Sequence, residues 1–195
     1  MRQGFPYRKA TQALNFFAVK ENGSIDKIKA LKLIWLADRY HLRQFGRPIL
    51  NDTYFALPYG PIPSNTKDLA EASEFLPRSE EGYRDQCLDV TVKNKIRSLA
   101  AFDGSPFSAS DIEAMEQAFA AFGSLKPMEL SELSHIYPEW KRFESDLKFG
   151  PNSRYAMSYL DFFQDPETHH NAPVFAQQHA VLESSRELFE EYRQP

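Results

Sequence analysis

The sequence predicts a mainly α-helical fold with a small β element, compact and built around one central apolar helix. Three observations predict it. Apolar residues recur at helical spacing in several separate stretches. The stretch from Ile25 to Phe45 is apolar over most of its circumference, more than a surface helix needs. Only two short runs have the β-branched and aromatic character of strands.

The elements follow in chain order. Ala10, Ala13, Leu14, Phe16 and Phe17 form one apolar stripe and predict helix one, broken at Asn22-Gly23. Ser24 is the expected acceptor for the free amides at the start of helix two, and Asp26 favours its positive end. Helix two carries Ile25, Ile28, Leu31, Leu33 to Leu36, Tyr40 and Phe45, and stops sharply at Gly46 and Pro48. Thr53 to Leu57 reads as a short strand, and Leu88, Val90 and Val92 as its half-buried counterpart. Pro58 to Pro63 is turn chemistry, after which Ser64 or Asn65 caps a helix to about Leu76. Ser108 to Asp111 opens a helix with Ile112, Met115, Phe119 and Phe122, ended by Gly123. Shorter helices are expected at 127–135 and 155–163, and a last amphipathic one carries Val181, Leu188 and Tyr192.

At 195 residues, with 42% hydrophobic and 14% aromatic content, the chain fits one well-packed domain. No apolar stretch is long enough for a signal peptide or a membrane span, and the one cysteine, Cys87, has no partner for a disulfide within the chain. A cytoplasmic location without membrane contact is the expectation. Charge is polarised: ten basic against three acidic residues in 1–50, net +7, and thirteen against twenty-four in 51–195, net −11. Either the two parts neutralise each other on folding or the basic end attracts an acidic partner or nucleic acid.

Catalytic signatures are absent. There is no phosphate-binding glycine loop, no nucleophile elbow and no metal-binding helix of the His-Glu-x-x-His type. Cys87 has no adjacent cation to activate it and reads as a structural thiol. Asp165, Glu167, His169, His170 and His179 match no common zinc spacing, so a solvated loop is expected, with no metal and no cofactor. Lys32, Asp38, Arg39 and His41 lie on the otherwise apolar helix two, either as a rim of exposed or mutually paired charges or as a polar cluster that fixes a partner's geometry. Tyr59, on a stiff Pro-Tyr-Gly-Pro turn, either packs the turn or anchors a partner.

The ordered series Lys29-Ala-Leu-Lys-Leu-Ile-Trp-Leu-Ala-Asp-Arg-Tyr-His41, Gly46-Arg47-Pro48-Ile49, Pro58-Tyr59-Gly60-Pro61-Ile62-Pro63, Leu130 to His135 and Pro138-Glu139-Trp140 resembles the Panacea domain of SocA-like antitoxins. The similarity spans residues 10–145. It implies a mostly helical antitoxin, not an enzyme, that binds and neutralises a toxin protein encoded beside it. In some members of that family the domain delivers the toxin to a Clp-type protease. The candidate partner-binding residues are Asp38, His41, Arg47, Pro48, Tyr59, Gly60 and Pro61, a surface made by the end of helix two and the Tyr59 turn. Residues 1–150 are expected to form the Panacea-like domain. Residues 151–195 form a helical extension on the same domain, which either selects the toxin or caps the core. The alternative function is nucleic-acid binding with autoregulation, although no recognition helix is legible.

Overall fold

A computed structural model describes residues 4–192. Its organising element is α2 (Lys27–Phe45), which is buried on nearly every side. Leu33, Trp35, Leu36 and Leu42 are fully enclosed, each contributing about 1.5–3 kcal/mol by leaving water. Helix α1 (Tyr7–Lys20) lays Ala10, Ala13, Leu14 and Phe17 against it. The helix starts where Asp26, not Ser24, caps it: the Asp26 carboxylate accepts the Ile28 and Lys29 amides at 2.9 and 3.4 Å. Ser24 belongs instead to strand β1 (Ser24–Asp26). The helix ends as expected, at Gly46 in the left-handed region with φ 69°.

Strand β2 (Tyr54–Leu57) forms a tight hairpin with β3 (Gly60–Pro63), closed by Pro58-Tyr59. The expected turn is therefore half strand. The hairpin's other neighbour is the short β6 (Tyr155–Ala156), in sheet order β3-β2-β6. Leu88 is not the counterpart of β2. It lies in β4 (Leu88–Asp89), which pairs with β5 (Lys95–Ser98), itself paired with β1, so the two runs fall in separate sheets. Between the hairpin and β4 run α3 (Ser64–Glu71) and α4 (Arg78–Cys87). Helix α3 is capped from a distance: the Asp52 carboxylate accepts the Asn65 and Thr66 amides at 3.0 and 2.8 Å, and neither Ser64 nor Asn65 caps it. Cys87 ends α4 rather than sitting in a strand, and Gln12 donates to its sulfur at 3.3 Å.

Helix α5 (Ala109–Phe122) opens with the Ser108–Asp111 capping box and packs along α2. Helices α6 (Pro127–Ser134), α7 (Pro138–Lys141) and α8 (Glu144–Phe149) follow. Of the helix expected over 155–163, only a 3-10 turn at Tyr159–Phe163 forms, after β6. A second 3-10 turn at Pro173–Phe175 leads into α9 (His179–Tyr192), which crosses the end of α2. Tyr159, Phe162, Phe163, Phe175 and Phe189 join the same core as α1 and α2. The mainly helical fold with small antiparallel sheets is thus as read from the sequence. No described helix is long and apolar enough to cross a membrane.

The polarised charge is largely consumed internally. Lys29, Lys32, Arg39 and Arg43 are all buried, Lys9 pairs with Asp111 at 2.7 Å, and Lys20 with Glu116 at 2.7 Å.

Candidate functional site

The charged residues of α2 do not form an exposed rim. Lys32, Asp38, Arg39 and His41 are each 0% exposed, so each must find a partner inside the protein or lower its charge. Asp38 points at the chain returning from the helix. Its carboxylate accepts the Ile49 and Leu50 amides at 2.7 and 3.3 Å and the Tyr54 hydroxyl at 2.9 Å. Burial outweighs these donors and raises its pKa to about 7.

His41 holds the same segment one turn further on. Its Nδ1 lies 2.6 Å from the Arg47 carbonyl, which can only accept, so Nδ1 carries the proton. Nε2 is then free to accept from the Ser110 hydroxyl at 3.0 Å. Burial lowers the ring's pKa to about 4, with the neighbouring Arg47 charge acting in the same direction and Asp111 opposing. Asp38 and His41 therefore offer no surface to a partner. They pin the Arg47-Pro48 corner against α2.

That corner is accessible. The Arg47 side chain is 45% exposed, with its guanidinium 3.0 Å from Asp111 and donating to Ser108 Oγ at 2.9 Å. Beside it opens a groove of about 530 Å³ between Phe45, Gly46, Arg47, Pro48 and Asn51 on one side and Leu188, Phe189 and Tyr192 of α9 on the other. The α9 residues were legible only as an amphipathic stripe. Its buried line is Ser185 and Phe189 with Leu182 partly covered, which leaves Leu188 at 40% and Tyr192 at 80% exposure. The expected apolar face is rotated, and two of its members line the groove instead of the core.

The hairpin tip is a separate place. Tyr59 is 61% exposed, whereas Gly60 and Pro61 are buried. A Cβ on Gly60 would collide with Ser134 Oγ and Lys32 Nζ, and Lys32 donates to the Pro61 carbonyl at 3.0 Å. Burial drives Lys32 to a pKa well below the usual lysine value. Trp140 Nε1 donates to the Leu57 carbonyl at 2.8 Å and its ring stacks on His135 at 3.8 Å, fixing the tip from the other side. Lys32 and Phe45 are thirteen residues apart on one helix, about 20 Å at the helical rise. The structure therefore divides the predicted residues into two patches at opposite ends of α2, with Asp38 and His41 beneath one of them.

Arg43 was not singled out by its sequence context. It donates to the Phe163 and Phe175 carbonyls at 2.8 and 3.0 Å and to Asp165 at 2.7 Å, and so ties the segment 162–175 to α2. Arg39 adds Glu139 and the Gln164 carbonyl, both at 2.6 Å, with its guanidinium over the Tyr137 ring. Asp165 is thereby committed to an arginine, while Glu167, His169 and His170 are exposed.

No curated protein and no solved structure matches the chain. A family model described as "Antitoxin SocA-like, Panacea domain" matches residues 31–141, from the second turn of α2 through the end of α7. That is more than half of the sequence, and it contains Arg47, Pro48 and the Tyr59 hairpin together with Lys32, Asp38 and His41 beneath them. The chain belongs to the SocA-like Panacea antitoxin family.

Proposed function

We propose that the protein is a cytoplasmic antitoxin that binds a toxin protein encoded by the adjacent gene and neutralises it by holding it, without chemistry of its own. The observation that carries this reading is the family match over residues 31–141. The geometry agrees with a binding role: buried polar groups are spent on rigid positioning of an exposed arginine-proline corner, and a preformed surface loses little entropy when a partner docks. The toxin meets the end of α2 around Arg47 and Pro48, and Tyr59 at the hairpin tip is the second exposed anchor.

Co-expression with the adjoining gene's product tests this. Growth arrest by that product alone, relieved by this protein, is the expected result; no arrest, or arrest that persists, overturns it. Delivery to a Clp-type protease is a second route to the same relief, and it separates from direct inhibition by the toxin's half-life, which shortens only if delivery operates. The nucleic-acid alternative loses the observation that motivated it, because much of the basic charge of residues 1–50 is buried or ion-paired.

A further inference from the structure

We propose that the guanidinium of Arg47, together with the Ser108 hydroxyl beside it, receives a side-chain carboxylate of the toxin; this rests on the antitoxin reading above. The charge balance around Arg47 carries the inference. Asp111 serves two cations at once, Lys9 at 2.7 Å through Oδ2 and Arg47 at 3.0 Å through Oδ1. Among the described residues neither cation has another ion-pair partner. His41 also approaches Asp111, at 3.3 Å, but burial lowers its pKa to about 4, so it brings no charge at neutral pH. One positive charge is therefore left over. Exposure assigns it to Arg47, whose side chain is 45% accessible against 15% for Lys9. Glu113, the next acid along α5, is exposed and acts on Tyr40 instead of pairing with either cation.

Arg47 also keeps donors in reserve. A guanidinium carries five N–H groups in a fixed fork. Among the described residues its hydrogen bonds leave from one amino group, to the Ser108 and Ser110 hydroxyls at 2.9 and 3.4 Å. Asp111 Oδ1 stands at ion-pair distance yet accepts no hydrogen bond. Ser108 Oγ already accepts from Arg47 and from the Asp111 amide, so its own proton is left for Ser110 or for an arriving group. A guanidinium fork with a hydroxyl at its side suits the two oxygens of one carboxylate.

A single surplus charge calls for a single anionic group. A nucleic-acid backbone would bring many, against the net −11 of residues 51–195. The fork is also fixed before the partner arrives, because His41 holds the Arg47 carbonyl and Asp38 the amides that follow. Little of it remains to be ordered on binding.

The test uses the full chain and the purified product of the adjoining gene. Arg47→Met is expected to weaken binding by about tenfold or more. Its thermal unfolding should stay near that of the parent, since Lys9 keeps Asp111 paired. Arg47→Glu is expected to weaken binding by about 100-fold or more, through repulsion of the incoming carboxylate. Changing the toxin's exposed Asp and Glu residues to Arg one at a time should then find one that restores the Arg47→Glu complex to within about tenfold of the parent. If the parent binds and Arg47→Met binds within about threefold of it, the carboxylate proposal is overturned and the antitoxin reading stands. A loss in Arg47→Glu that no reversal on the toxin restores also overturns it. If nuclease treatment abolishes binding by the parent, the group received is a nucleic-acid phosphate and the proposal fails. No binding by the parent protein overturns both readings.

Discussion

Gly46 stands where a side chain has no room, because the backbone carbonyl of Ser185 would lie 2.6 Å from its Cβ. The same residue closes α2 in a left-handed conformation, so a single position serves as helix cap and as the seat of α9. Gly46→Ala is expected to cost about 2 kcal/mol or more, combining backbone strain with displacement of α9. Gly46→Asn, which tolerates the backbone better, is not expected to recover the loss, since the Cβ itself collides. Urea unfolding of both variants measures this.

Arg43 gathers backbone carbonyls from two separate turns, and its removal takes a buried donor from each of them. Arg43→Met is expected to destabilise the fold by about 3 kcal/mol. It should also expose the segment after Phe163 to limited proteolysis, which mass spectrometry of the fragments would show.

Asp38 and His41 give opposing pH dependences. The Asp38 pKa is raised from 3.8 to about 7, so the fold binds a proton the unfolded chain lacks, and this contribution to stability falls as pH rises through that window. The His41 pKa is lowered from 6.5 to about 4, so its contribution is intact above pH 6.5 and is lost as pH falls toward 4. In the parent protein the two slopes partly cancel. His41→Asn, which keeps a donor for the Arg47 carbonyl, should uncover the Asp38 slope, with stability decreasing from about pH 4 to 7. Denaturant midpoints across that range in parent and variant check the sign.

The local signals were legible because they are written in adjacent residues. Ser108 and Asp111 form their capping box within one turn, and Gly46 followed by Pro48 ends α2 where it should. Pairing of distant short strands was not legible: β2 takes β6 from a hundred residues away, and β1 takes β5, each over two or three residues that carry little pattern of their own. Burial of Lys32, Asp38, Arg39 and His41 was also hidden, since helical phase states a direction but not whether another segment returns to cover it. The same gap misphased α9, where apolar residues lie on two faces and only the neighbouring core decides which is inside. The candidate site was legible as residue types, and its division into two patches was not.

Asp52 caps α3 without belonging to it. Asp52→Ala removes the acceptor for two helix amides and two side chains, and is expected to cost about 2 kcal/mol, at the upper end of cap substitutions. Thermal unfolding measures the loss, and hydrogen exchange should locate it at Asn65 and Thr66.

Cys87 is the chain's one thiol, closed off where α4 meets α1, with burial raising its pKa. A thiol reagent in excess therefore reacts slowly until that seam parts. The rate at which it labels the native protein becomes a clock for the opening of a single identified joint, and no mutation is needed to install it.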